Sequence, residues 1–368
     1  MWKLTIKLMI FATPFAIIIG IPVALLWHGG ECTSIDRVVQ KQTIQCVYGT
    51  AYSDRQPYLK LAAYLKRKPD ILVLGTSRVM QFRSQMFTSS FYNCGGAVEE
   101  ILDYRRFLSL IPDEATPKLL IVGFNHVFLN PNFDCEYTMD SQMADIDAVD
   151  MITKTWRRLY WDIINGKIEA GKLLKKQTNI GIKAITNGSG FRYDGSYYYK
   201  KFIDDGGQGS PKAPDYGFNN SRMRIKNGIN PFEHASEVSQ KSLDELDKLL
   251  VYCKQRDIVV VGFLPPFADA VWSYMMEQGD HEYLRKLPDR MQTVFLRHGF
   301  DFFNFPNLSS CDSNDHEVTD GFHGSEKAYL RILIKMLDQS ELLRPFTASR
   351  AFLQRELYSA KGDTIVFQ

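Results

Sequence analysis

From Leu8 to Trp27 the chain reads LMIFATPFAIIIGIPVALLW, twenty residues without a charge. A helix rises about 1.5 Å per residue, so this run spans about 30 Å, the hydrocarbon thickness of a bilayer. It predicts one membrane pass and puts the rest of the chain on one side of it. Lys3 and Lys7 precede the run, and no Lys or Arg follows until Arg37. The positive-inside rule therefore places the N-terminus in the cytoplasm and the remainder outside. Trp2 and Trp27 fall where interfacial aromatics belong. A cleaved signal peptide is the alternative, but the run exceeds the usual apolar core of about 7 to 15 residues and no small-x-small cleavage site follows. A lipoprotein reading through Cys32 fails because Glu31 occupies the position that should be small. Pro14 and Pro22 are tolerated in such a helix and kink it.

Beyond the anchor, the length of 368 residues suits one large domain or two ordinary ones, and the 45% apolar share supports a full core. Lys plus Arg number 44 against 42 Asp plus Glu, so no overall field draws the chain to nucleic acid. Nucleic-acid binding is set aside. Six cysteines lie in the part expected outside, where disulfides persist. Cys32 with Cys46 is the expected pair, closing a short loop above the membrane, with free buried cysteines as the alternative. The sequence has no CxxC pair and no Cys/His cluster, so neither a metal nor another cofactor is expected.

A rhythm of strands and helices follows the anchor (1–30) and a juxtamembrane segment (31–67). Apolar strands are expected at Ile71 to Leu74, Ser90 to Cys94, Lys118 to Phe124, Ile258 to Leu264 and Phe300 to Phe305, with helical patterns between them. The first strand breaks at Gly75-Thr76-Ser77 and is expected to restart as an amphipathic helix. Five alternating strands predict an α/β domain, 68–345, with a parallel sheet, followed by a tail, 346–368. Residues from about 130 to 230 break the rhythm and read as an insertion. They hold a helix pattern, ITKTWRRLYWDIINGKIEAGKLLKK, and a hairpin, FRYDGSYYYKKF, turning at Asp194-Gly195. Its tyrosines, Tyr193, Tyr197, Tyr198 and Tyr199, suit either a sugar platform or a hairpin packed on the core.

In parallel sheets ligands bind beyond the carboxyl ends of the strands, and the chemically interesting residues follow the strands here. Ser77 follows the first, at an expected helix start whose partial positive charge favours an anion. His323 in TDGFHGS is the candidate base, and Asp320, three residues earlier, is placed to fix its tautomer. Asn125 in GFN ends the third strand and offers an amide to an oxyanion. NCGG, Asn93 to Gly96, ends the second, where glycine permits close backbone approach. Each residue also has a plainer reading. Ser77 and Asn125 are good caps, and Asp320 and His323 sit near Asp312, Asp315 and Glu317, an acidic stretch that suits a cation although its EF-hand register fails. Arg78 is either a solvated residue or an anion binder. His126, Arg192 and Asp194 are further polar candidates, and Pro265-Pro266-Phe267 is expected to form a stiff loop bordering the cleft.

The order Ser77, Gly96, Asn125 and Asp320-x-x-His323 resembles the four blocks of the SGNH, or GDSL-like, hydrolases over roughly residues 68–128 and 258–337. Three departures stand out. Thr76 replaces the usual Asp before the serine, His126 follows the block-three Asn, and Gly95 and Gly96 come two and three residues after Asn93 rather than several. The resemblance implies a three-layer flavodoxin-like fold with a five-stranded parallel sheet and a Ser77, His323, Asp320 triad. The oxyanion would rest on Ser77, Gly96 and Asn125, and Arg78, His126 and Phe267 would contact substrate. An N-terminal anchor before such a domain is similar to the membrane-bound proteins of bacterial alginate and cellulose acetylation and to the D-alanine transfer protein of teichoic acid modification. That likeness implies acyl transfer to, or removal from, an extracytoplasmic glycan, beside a polytopic membrane-bound O-acyltransferase as partner, at the bacterial cytoplasmic membrane. A non-catalytic scaffold and a secreted lipid esterase are the competing expectations.

Overall fold

A computed structural model describes residues 2–53, 55–135, 139–175 and 177–367. Contacts divide the chain into two compact units: 1–55 with 144–193 and 197–201, and 56–143 with 194–196 and 202–368.

The second unit carries five strands: β1 (Ile71–Gly75), β2 (Phe91–Gly95), β3 (Leu119–Gly123), β4 (Val259–Leu264) and β5 (Asp301–Asn304). All four pairings are parallel, and the spatial order is β2-β1-β3-β4-β5. Every residue of the first three strands is buried, which explains why they read as unbroken apolar runs rather than alternating ones. One sheet face presents Ile71, Val73, Ile121, Val261 and Phe263 to a core shared with Tyr329, Leu333 and Leu353. Those last three lie on the helices Glu326–Gln339 and Arg350–Ser359, so the segment read as a tail completes a layer. On the opposite face Gly262 meets the ring of Phe295 from the helix Tyr283–His298. Truncating a strand residue such as Ile121 to Ala in this core costs about 2–5 kcal/mol.

The expected helix after β1 does not form. Ser77–Val79 is a single 3₁₀ turn, followed by a second at Ser84–Met86. The reason lies in the strand ends. Gly95, Gly75 and Gly123 stand side by side in register. A Cβ on Gly123 would lie 2.2 Å from Val79 Cγ1, and one on Gly95 would lie 2.9 Å from Met80 Cγ. The three glycines clear a shelf on which the turn lies flat. Asn93, fully buried, ties it down by donating to the carbonyls of Val79 (2.9 Å) and Phe82 (3.1 Å).

In the first unit, Leu4–Pro14 and Ala16–His28 meet at a 49° bend. Neither half alone is long and apolar enough to cross a membrane; by length and composition the pair suffices for a span or for a signal sequence. Pro14 explains the bend, since it removes one backbone hydrogen bond and crowds the preceding turn. Leu25 and Leu26 pack in a core with Met151, Leu159, Leu173 and Ile182. The buried Glu31 accepts from the amides of Ala51 (2.9 Å), Tyr52 (3.2 Å) and Ile182 (2.8 Å). The hairpin is present as Gly190–Phe191 against Tyr197–Tyr198. Phe191, Tyr197 and Tyr199 pack on one another, and Arg192 stacks on Tyr198. All six cysteines are free, so the expected Cys32–Cys46 pair is not formed; burial pushes the Cys32 thiol up to about 11.

Candidate functional site

The order of strands reverses between β1 and β3, and a crevice beyond their carboxyl ends is where open α/β sheets bind ligands. Ser77 leaves β1 and Asn125 leaves β3 at that reversal. Thr76 caps the turn: its hydroxyl accepts from Arg78 N (3.3 Å).

Ser77 Oγ lies 2.8 Å from His323 Nε2. On the far side of the ring Nδ1 lies 2.8 Å and 3.0 Å from the two oxygens of Asp320. That contact assigns the proton to Nδ1 and turns the Nε2 lone pair toward the serine. Asp320 also accepts from the amides of Phe322 (3.0 Å) and His323 (2.9 Å), so the carboxylate and imidazole share one tight loop. Burial alone would raise the Asp320 carboxyl, but His323 and these hydrogen bonds outweigh it and hold it below the ordinary value. The bridge between Val318 and Gly324 closes the loop.

Arg78 has neither of the roles its sequence position suggests. It is 2% exposed and lines no part of the cleft. Its Nε donates to Phe322 O (3.0 Å), Nη1 to His126 Nδ1 (2.9 Å), and Nη2 to Pro265 O and Pro266 O (both 2.8 Å). The guanidinium sits 4.6 Å from the centre of the Phe267 ring. Desolvation lowers it to about 10, which leaves it charged at neutral pH. Arg78, His126 and Phe267, expected to contact substrate, instead pack on one another as a buried clamp behind Ser77 and His323 and line no part of the cleft. Burial, and then the Arg78 charge, hold His126 neutral, well below the usual imidazole value.

The backbone N–H of Ser77 and the side-chain amide of Asn125 have no hydrogen-bond partner among the described residues, and both residues line the cleft. Gly96 lines it too, but its N–H donates to Gly75 O at 2.9 Å. The expected third oxyanion donor is therefore engaged elsewhere. Gly95 N donates to Asn93 Oδ1 (2.7 Å) and offers no substitute. What the glycine at 96 supplies is room. Its φ is +84°, and a Cβ there would lie 2.1 Å from Gln56 Oε1, another cleft residue.

The cleft encloses about 740 Å³ and is formed within the second unit. Beyond the triad, Glu99, Asn132, Asp134, Arg224, Asn230 and Glu233 give it a polar wall. Burial holds the Glu233 carboxyl above the ordinary carboxylate value, against the pull of Arg224 and Asn230. Most of this wall comes from the stretch read as an insertion, and no local motif marks those residues. Asp194 lies outside it, locked to Arg83 Nε (3.1 Å) and Ser84 N (3.0 Å). The acidic stretch is likewise occupied: Asp315 caps the helix Asp269–Gln278, Glu317 pairs with Arg331, and Asp312 with Lys335. Among the described residues no group of three or more His, Cys, Asp or Glu side chains converges as a metal shell.

No protein-family model matches this chain, and no curated protein matches it significantly.

Proposed function

We propose that the protein is a membrane-anchored, extracytoplasmic serine acyl-transfer enzyme of the SGNH type, acting as O-acyltransferase or esterase on a cell-envelope or exported polysaccharide. The observation that carries the reading is the continuous contact Ser77 Oγ, His323 Nε2, His323 Nδ1, Asp320, opening into a cleft beside two donors without partners among the described residues. A serine used as a cap needs no imidazole on its hydroxyl. The sheet order, parallel and reversed between β1 and β3, is consistent with the SGNH fold.

In the proposed reaction Ser77 Oγ attacks an ester carbonyl as its proton passes to His323 Nε2. The C=O electron pair moves onto oxygen, which faces Ser77 N–H and the Asn125 amide. Collapse expels the alcohol, which takes the proton from His323, and leaves an acyl-serine. Water or a sugar hydroxyl then attacks by the same route in reverse. Asp320 keeps the imidazole in the required tautomer throughout. The polar wall of the cleft suits a hydroxyl-rich acceptor, and the N-terminal helix pair suits the bacterial cytoplasmic membrane, where a polytopic O-acyltransferase would supply the acyl group.

The test is the intact mass of the full chain in detergent after exposure to a fluorophosphonate. One adduct that disappears in Ser77→Ala supports the reading. A folded wild type that stays unlabelled overturns the accessible nucleophile and favours a scaffold that holds a glycan or an acyltransferase.

A further inference from the structure

Pro22 has no backbone N–H, so the carbonyl four residues earlier, Ile18 O, loses its partner within the helix. In hydrocarbon such an orphan costs several kcal/mol. Tyr160 Oη donates to Ile18 O at 2.6 Å. Tyr160 lies on the amphipathic helix Ala148–Ile164, whose buried face is Met151, Thr155 and Leu159. That helix therefore runs beside the anchor at the level of Ile18. At about 1.5 Å per residue, Ile18 lies about 13 Å below Trp27, close to half the thickness of a hydrocarbon core. Yet Pro22, Leu25 and Leu26, above it, are buried in protein, while Ile17, Ile18, Ile19 and Ile21 are about half exposed.

We infer that the outer boundary of the membrane falls near Ile18–Ile21, not at Trp27, and that the helix Ala148–Ile164 lies in the headgroup layer of the outer leaflet beside the anchor. This rests on the anchored reading above. Val149 (72%), Trp161 (64%) and Ile164 (70%) stand open where a water-facing helix would carry polar residues. Trp156 packs edge-on against Tyr160, extending an aromatic stripe toward the anchor. Tryptophan and tyrosine favour this layer because their rings are amphipathic. Next to the stripe Arg157 stacks on Trp156 and has no carboxylate partner among the described residues, so its charge is available to a lipid phosphate. Lys154 and Arg158 pair with Asp150 and Asp162, and carry less of that task. The span that remains, Leu4 to Ile21, is about 27 Å as a helix, and its bend at Pro14 fits it to a bilayer of ordinary thickness.

The test reconstitutes the full chain into vesicles of phosphatidylethanolamine and phosphatidylglycerol with brominated acyl chains and reads tryptophan quenching. Of the five tryptophans, Trp2, Trp27, Trp156 and Trp161 belong to the first unit and Trp272 to the second. The expected result is that Trp156→Phe/Trp161→Phe, folded by circular dichroism, loses about two thirds of the quenchable intensity, two of its three contributors, because Trp27 stands above the inferred boundary. Aqueous iodide should reach neither ring in the wild type. Unchanged lipid quenching in the double variant, or iodide quenching of the two rings, overturns the inference while leaving the anchor intact. Loss of lipid quenching at Trp2 as well overturns the anchored reading together with it.

Discussion

Arg78, the residue after the candidate nucleophile, donates from Nε to the carbonyl of Phe322, the residue before the candidate base (3.0 Å). Two strand-end loops that are far apart in sequence are therefore fixed to one side chain, and its remaining donors hold the Pro265-Pro266 loop and His126. A lysine keeps the charge but not the fork that reaches four acceptors. Arg78→Lys is expected to lower the rate of fluorophosphonate inactivation by about 10²-fold, the scale of a 1 Å misplacement, with little change in the probe's saturation constant. Arg78→Met, which leaves buried carbonyls unpaired, should destabilise the protein by about 3 kcal/mol or more in urea unfolding. A rate in Arg78→Lys equal to wild type would make Arg78 a structural residue alone.

Gly123→Ala should damage the site through packing. The new Cβ would lie 2.2 Å from Val79 Cγ1, so the turn that carries Ser77 must lift off its shelf. Overpacking of this kind costs about 1–3 kcal/mol. Val79→Ala placed on top of Gly123→Ala removes the clashing methyl groups and should recover part of the labelling rate. A double variant no faster than Gly123→Ala alone would refute the shelf.

Much of this was legible from sequence because parallel strands buried on both faces announce themselves as short apolar runs, because Ser77 and Asn125 each stand two residues after such a run, and because Asp320 and His323 share one short segment. The helix expected after β1 was not, since its residues have helical spacing but the three aligned glycines draw the turn down onto the strand ends. Arg78 was misread for a related reason: an arginine beside a serine looks exposed until the loops that bury it are in place. The engagement of Gly96 N–H by Gly75 O depends on the pairing of β1 with β2, which a motif cannot express. The polar wall from Asn132 to Glu233 was hidden because those residues converge through long irregular connections with no period of their own.

Asn125→Ala should separate chemistry from folding. The side-chain amide has no partner among the described residues, so its loss leaves no buried group unpaired and should leave urea unfolding within about 0.5 kcal/mol of wild type. On the proposed mechanism the rate of acyl transfer should fall about 10²- to 10³-fold, the scale of losing one oxyanion donor. Gly96→Ala is the contrast: it should lose stability, because φ is +84° and Gln56 must move, in step with any loss of rate. Asn125→Ala with an unchanged turnover would remove the amide from the mechanism.

Lys60 gives a pH dependence whose sign is fixed. Its ammonium is fully buried, donating to Asn93 O (3.0 Å) and to Gly195 O, and desolvation lowers it to about 7. In the unfolded chain a lysine titrates near 10.4. Above pH 7 the unfolded state therefore binds more protons at this site than the folded state, and stability rises with pH, by up to about 1.4 kcal/mol per unit. The comparison with a variant isolates the effect, because the buried cysteines, whose raised thiols oppose it as their unfolded forms ionise at about pH 8.5, act in wild type and variant alike. Urea unfolding of Lys60→Met from about pH 7 to 8.5 should give a flatter slope than wild type, although the variant is less stable at every pH because two carbonyls lose their donor. Parallel slopes in the two proteins would show that Lys60 does not titrate there in the folded state.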